Sequence, residues 1–432
     1  MSHPFERVLN LGRTHWSRRR FFGLSASFLA GIAGACAQRN PSTAAAPMGG
    51  DVAEQLKRLE ERYNDNIYTR LLGVQPHLPV QDHITAAGGS RMPPEVMKAM
   101  LEANEYFVDM RELTLAAGRR LAEVMGTEDA LVTCGSFSAM ILGAAACLTG
   151  TDPEKIPALP HPNWPKREYL TQKAHRFGYD RAYRAAGMTN VEVDTREQFR
   201  NAVSENTAMI GLLARLEYER QDDPEVMKPH EFIEIGRRAG VPVLVDAASE
   251  LPPARNLTRF SRMGADLVVI SGGKGMRGPQ STGILAGRAD LIEAARIHAA
   301  PNGNLGRGMK VGKEEIMGFI VALNRYVDLD HEAIQEEWNR KARYVAEELQ
   351  NIEGLEAEYA MNGKGYADVE LSWDERVIPL TDEEVSERLK NGNPRLIIYG
   401  NKVVTRCIRD DELVAATRRL AQFFREEAGR VT

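Results

Sequence analysis

A lysine between two glycines, Gly273-Lys274-Gly275, and an aspartate 28 positions before it (274 − 246), Asp246, are the residues of this sequence best placed to do chemistry. Each follows a short apolar run, residues 267–270 before the Ser271-Gly272-Gly273 break and residues 243–245 before Asp246. Runs of that length, rich in valine, leucine and isoleucine, read as buried strands. In open α/β sheets, ligands bind beyond the carboxyl ends of such strands. A lysine and an acid held there have a joint use: pyridoxal phosphate takes a lysine on its aldehyde carbon and an acid against its ring nitrogen. The lysine must be neutral to react, so its pKa has to fall through burial or through a nearby cation, a place open to Arg277. Ser271, at the end of the lysine strand, joins the expected cofactor-binding residues.

A second feature suits an anion. Residues 130–133 read as a strand, Cys134-Gly135-Ser136-Phe137-Ser138 as a small-residue turn, and residues 139–148 as an apolar helix. Free N–H groups and the helix dipole at such a junction both favour negative charge. Arg91 and Arg111, flanking the helix expected at about 94–107, are candidates for a substrate anion.

Three segments together resemble a known family: VDAAS at 245–249, GADLVVISGGKGMRGPQSTGILAGR at 264–288, and GRGMKVGKEEIMG at 306–318. They are similar to fold-type-I pyridoxal phosphate enzymes, most of all the branch of bacterial selenocysteine synthase (L-seryl-tRNA(Sec) selenium transferase) and D-glucosaminate-6-phosphate ammonia-lyase. The likeness runs from about Ile84 to Val327. It implies an α/β fold with a mainly parallel, seven-stranded-type sheet in a large domain, and a small C-terminal α+β domain. It places the cofactor phosphate on Gly135, Ser136, Phe137 and Ser138, and a stacking ring, for which His175 is the candidate, in the stretch 173–180. It implies a neighbouring subunit completing the phosphate site through Gly278-Pro279-Gln280, hence a homodimer or larger even oligomer. It assigns the substrate's anionic end to Arg307 and Lys310, with Lys313 beside them. The implied activity is a lyase on a small amino acid or amino-sugar acid: α-proton abstraction by Lys274, loss of a β-substituent, and release of keto acid and ammonia. Competing readings are a racemase or aldolase, selenium transfer on seryl-tRNA, and a scaffold that binds the cofactor without turnover.

The elements that must position these residues are legible in outline. Residues 1–37 carry Arg18-Arg19-Arg20 before Phe21-Phe22, an apolar run to Ala35 and a small-residue exit, the order of a twin-arginine export signal. This departs from the named relatives, which act in the cytoplasm. Cys36 is a possible lipid-anchor site, and the apolar run is shorter than the roughly 20 residues a membrane span needs. A linker at 38–50 and a helical arm at 51–83, with one amphipathic helix over 52–72, precede the large domain at 84–330 and the small domain at 331–432. Strands alternating with helices through the large domain argue for a doubly wound sheet. The formal net charge is −5, and loss of residues 1–37, with five arginines and one glutamate, would make it −9. No basic tail or cationic run stands in the body, so nucleic acid is not an expected partner. The four cysteines, Cys36, Cys134, Cys147 and Cys407, have neither zinc nor CxxC spacing, and no metal is expected.

Overall fold

A computed structural model describes residues 52–430; Cys36 and the segments expected to be an export signal and a linker lie outside them. Its centre is a seven-stranded sheet. The strands in chain order are β1 (His77–Leu78), β2 (Asp129–Thr133), β3 (Glu168–Gln172), β4 (Thr189–Val193), β5 (Thr207–Leu213), β6 (Val243–Asp246), β7 (Leu267–Ser271) and β8 (Gly283–Gly287). Of these, β1 stands apart, and the other seven lie in the order β2-β8-β7-β6-β5-β3-β4. All neighbours are parallel except β8, which runs antiparallel to β2 and β7. The α/β architecture with a mainly parallel sheet is therefore as the sequence implies.

β5, β6, β7 and β8 are buried at every residue, the signature of strands covered on both faces. Successive side chains alternate between two cores. Val243, Val245, Val268, Ile270 and Ile284 join one; Leu244, Leu267, Val269 and Leu285 join the other. The second core holds helix Gly135–Thr149, apolar on all sides and buried over most of its length. Gly143 lets that helix settle onto the sheet, because a Cβ there would meet Leu244 Cδ1 at 2.8 Å.

The sequence reading missed β3. Its EYLTQ run has polar ends and a single leucine, so propensity alone does not mark it; pairing with β4 and β5 on either side makes it a strand. The single helix expected over 52–72 is two, Val52–Asn64 and Ile67–Leu72. Asn66 separates them by accepting the N–H groups of Tyr68 and Thr69 as an N-cap.

The C-terminal part contains β9 (Leu355–Met361), β10 (Ala367–Trp373), β11 (Arg395–Leu396) and β12 (Lys402–Val403). β12, β10 and β9 form a three-stranded antiparallel sheet. The N-terminal arm docks on this part: β1 pairs in parallel with β11, and Arg62 binds Asp411 at 2.8 Å. All described residues belong to one compact unit, and none of their helices is long and apolar enough to cross a membrane.

Gly283 sets the spacing of the site below. It lies between Thr133 of β2 and Ser271 of β7, and a Cβ on it would stand 2.6 Å from Gly135 C and 2.8 Å from Ser136 N. Backbone cannot yield as a flexible side chain does. Gly283→Ala is therefore expected to cost about 1–3 kcal/mol through overpacking, read as a lower urea midpoint. An unchanged midpoint would show that strand and turn are not in contact.

Candidate active site

Six chain segments meet around a cavity of about 220 Å³ at the carboxyl ends of β2, β5, β6 and β7. β2 delivers the first wall. Gly135, at φ 77°, turns the chain in the left-handed region, and Thr133 Oγ1 donates to Gly135 O at 3.0 Å. Helix Gly135–Thr149 then starts without a side-chain cap from Cys134. The first N–H groups of a helix have no intrahelical acceptor, and the helix dipole adds positive potential there. Gly135, Ser136 and Phe137 all line the cavity, so this end suits a phosphate. Ser138, the fourth residue expected there, is buried at 8% exposure and does not line the cavity.

β6 and β7 deliver the acid and the amine. Asp246 ends β6, is 3% exposed, and its Oδ1 accepts the N–H of Ala248 at 3.0 Å. Burial raises its pKa above the ordinary carboxylate range, against the lowering pull of that N–H, Lys274 and Arg215. Lys274 lies three residues beyond β7, in a turn closed by Arg277 N–H to Lys274 O at 2.9 Å and Gly278 N–H to Gly272 O at 2.9 Å. Ser90 Oγ pins the same turn from outside by donating to Gly273 O at 2.8 Å. The Lys274 amine has a lowered pKa. Burial is the main cause, Arg215 and Lys364 add to it, and Asp246 and Asp82 oppose it. The cations there are Arg215 and Lys364, and Arg277 is not among the leading groups acting on Lys274. Burial lowers the amine's proton affinity instead.

Ser271 lines the cavity as expected; Gly278 does not. Gly278 backs onto Phe319 and Ala322, where a Cβ would lie within 3.1–3.3 Å of both. Gln280, expected to serve a neighbouring subunit, reaches its own chain's cavity and donates to Thr85 Oγ1 at 3.2 Å.

The expectation for His175 is also corrected. Its ring is 2% exposed and packs edge-on to Phe232 at 4.7 Å. Nδ1 accepts the Leu213 N–H at 3.2 Å, which leaves Nε2 to donate to Met227 O at 3.0 Å. It is a core residue that ties β5 to the loop before helix Pro229–Ala239. The cavity's aromatic wall is made by Phe177, Tyr179 and Phe137, with Tyr179 edge-on to the other two at 6.2 and 6.5 Å. Phe177 and Tyr179 lie in the turn region after the short helix Lys173–His175, and their only signal in the sequence was their place in the 173–180 stretch beside His175.

The cationic candidates are redistributed as well. Arg91 donates to Glu412 Oε2 at 2.7 Å, a carboxylate only 2% exposed, so its charge is spent on holding the C-terminal helix Asp410–Ala428. Arg111 is exposed at the start of helix Met110–Met125. Arg307 and Lys310 line a separate cavity of about 240 Å³ beside Met110 and Thr114. Lys313 donates to Ala103 O at 2.9 Å and pairs with Glu314. The guanidinium that does line the Lys274 cavity is Arg215, two residues past Leu213, the residue registered opposite Asp246. Its only mark in the sequence was a charge closing the apolar strand 207–213.

The buried His175 predicts a pH dependence. Burial lowers its pKa to about 4, against about 6.5 unfolded. Between those values the unfolded chain binds more protons, so stability rises with pH. The contribution, about 3 kcal/mol at about 1.4 kcal/mol per pKa unit, is complete above about pH 6.5 and lost as pH falls toward 4. His175→Gln should flatten the urea midpoint across that window, and an unaltered slope would contradict this placement of the ring.

The donor set fits pyridoxal phosphate. An uncapped helix N-terminus accepts a phosphate, a buried carboxylate meets a ring nitrogen, a lysine of lowered pKa meets an aldehyde, and aromatic rings line the space between. Comparison with known proteins agrees. The Aminotransferase class-V family matches residues 225–367. The chain is 32% identical over 381 residues to a 5'-C-glycyluridine monooxygenase-decarboxylase of a Streptomyces species, covering 84% of this chain and 93% of that one. It is 28% identical over 352 residues to the D-glucosaminate-6-phosphate ammonia lyase of Salmonella typhimurium, covering 78% and 89%. A solved structure of D-glucosaminate-6-phosphate ammonia-lyase superposes with a TM-score of 0.71 at 24% identity, over 84% of this chain and 99% of that one. With cofactor chemistry, sheet order and these relatives in agreement, the chain belongs to the fold-type-I pyridoxal-phosphate-dependent enzymes, in the branch that holds D-glucosaminate-6-phosphate ammonia-lyase and the selenium transferases.

Proposed function

We propose that this enzyme is a lyase that removes the α-proton of a small amino acid or amino-sugar acid and expels a β-substituent. Water then completes the release of a keto acid and ammonia. The observation that carries the reading is the pairing of a buried acid and an amine of lowered pKa in one cavity with the Arg215 guanidinium, whose Nε is held by Glu219 at 3.3 Å. Bound pyridoxal phosphate supplies the electron sink for the pair left on Cα. Asp246 holds a proton on the ring nitrogen, and its removal from water strengthens that hold. Lys274 Nζ, disfavoured as an ammonium, takes the α-proton as a general base. Gly135, Ser136 and Phe137 anchor the phosphate and so fix the ring relative to Lys274. Arg215 receives the substrate carboxylate, for which its planar fork is suited. Phe137, Phe177 and Tyr179 narrow the cavity and keep water from the reacting carbon.

A second reading draws on the 32% identity to the glycyluridine monooxygenase-decarboxylase. The same residues would then serve loss of the α-carboxylate with uptake of dioxygen. The aromatic wall is compatible with a substrate that carries a flat ring. The proposal includes a homodimer or larger even oligomer, supported by the exposed apolar side chains of Leu101, Tyr106 and Phe107. It also includes export by the twin-arginine route, which rests on residues 17–37 alone.

Purified holoenzyme screened against D- and L-hydroxyamino acids and amino-sugar acids should release keto acid and ammonia without consuming dioxygen. Dioxygen uptake with carbon dioxide release selects the second reading, and silence across both assays defeats the first. Lys274→Ala should lower turnover about 10³-fold and abolish the absorbance of the lysine-bound cofactor. Arg215→Met should raise KM by roughly 10- to 100-fold, the worth of a charge-assisted hydrogen bond, and leave that absorbance in place.

A further inference from the structure

Behind the Lys274 turn lies a second cavity, of about 440 Å³, lined among others by His83, Gly275, Arg277, Arg325 and Arg406. Cations dominate its wall, and nearly all of them are already matched. Arg406 is held by Asp82 at 3.0 Å and Asp368 at 2.5 Å. Arg325 pairs with Glu95 at 2.6 Å. His83 Nδ1 meets Asp82 Oδ1 at 2.8 Å; burial alone would lower its pKa, but the hydrogen bonds to Asp82 and Cys407 raise it to about 9. The two acids on the wall are engaged too. Asp330 caps a helix through the Ala333 N–H at 3.0 Å, and Glu337 holds Arg340 at 2.6 Å.

Arg277 is the exception. Among the described residues it pairs with no carboxylate, and its one side-chain hydrogen bond, Nε to Arg91 O at 3.0 Å, leaves both terminal nitrogens of the fork for the cavity. Burial presses on its charge, and so do the guanidiniums of Arg325, Arg91 and Arg409. Its backbone is the one non-glycine position of the described residues with positive φ, 59°. A side chain in that region carries strain that persists only where the surroundings enforce it, and such outliers gather at ligand sites. Glycine would make the turn without cost, so a strained residue there marks the guanidinium as the part that is needed.

We propose that this cavity is a binding site for an oxyanion, a carboxylate or a phosphate, received by the fork of Arg277 beside His83. An anion there supplies the charge partner that the protein withholds from Arg277, and a planar fork accepts two oxygens of either group in parallel. The site is separate from the helix N-terminus at Gly135 and does not depend on which reaction Lys274 performs. Two sources carry the chemistry: the distal end of the substrate, or a free anion acting on the Lys274 turn from behind.

The test uses holoenzyme, in which the cofactor fills the Gly135 cradle, and isothermal titration with inorganic phosphate and with acetate. At least one should saturate. Arg277→Gly, which relieves the strained φ, should weaken that binding at least tenfold, with a melting temperature no lower than the parent's and the cofactor absorbance intact. Arg277→Lys, which keeps the charge and loses the fork, should fall between the two. In the keto-acid assay, an anion that raises KM alone identifies the substrate's tail, and one that changes kcat at constant KM identifies a separate ligand; both agree with the proposal. Equal affinity in Arg277→Gly and parent, or no saturation by either anion below about 10 mM, overturns it.

Discussion

Two opposite charges are taken out of water at the ends of neighbouring parallel strands, Asp246 on β6 and Lys274 beyond β7, and the rest of the structure answers to that constraint. Each charge alone at that depth would be costly. Together they partly offset one another, and burial still moves both toward their neutral forms, the acid upward and the amine downward. A rigid, fully covered sheet is what holds them in register. β6 and β7 are buried at every residue, with one core on each face.

The same sheet builds the anion end of the site. β8 lies antiparallel between β2 and β7, and glycine at its first position lets the Gly135 turn come down onto it. The Gly135 turn and the lysine turn are thus joined through one strand, so a shift of either is felt by the other. Arg215 closes the third side from β5, whose last residue is registered opposite Asp246. Chemistry gathered from four strand ends needs no long-range adjustment once the sheet has formed.

The residues legible in the sequence were those whose type and place in a strand–turn pattern coincide. Lys274, Asp246, Ser271 and the 135–137 turn each follow an apolar run, and the structure sets all of them around one cavity. The residues misread were polar groups whose partners lie far along the chain. His175 satisfies backbone 38 and 52 positions away, and Arg91 is taken by Glu412 across 321 residues. No local pattern announces such pairings. β3 was hidden for a related reason, since its strand character comes from neighbours on both sides rather than from its own composition. Arg215, Phe177 and Tyr179 occupied the right strand ends but lacked a motif to single them out.

The docking of the N-terminal arm has a consequence for how the chain is made. β1 pairs with residues 395–396, Tyr63 OH of the arm donates to Glu412 at 3.0 Å, and Arg91, just beyond the arm, donates to the same carboxylate at 2.7 Å. During synthesis the arm therefore waits, without these partners, until residues 395–412 have emerged. Contacts of such large sequence separation form late. The arm is then among the last segments to lock, and its locking reports that residues 395–412 have folded.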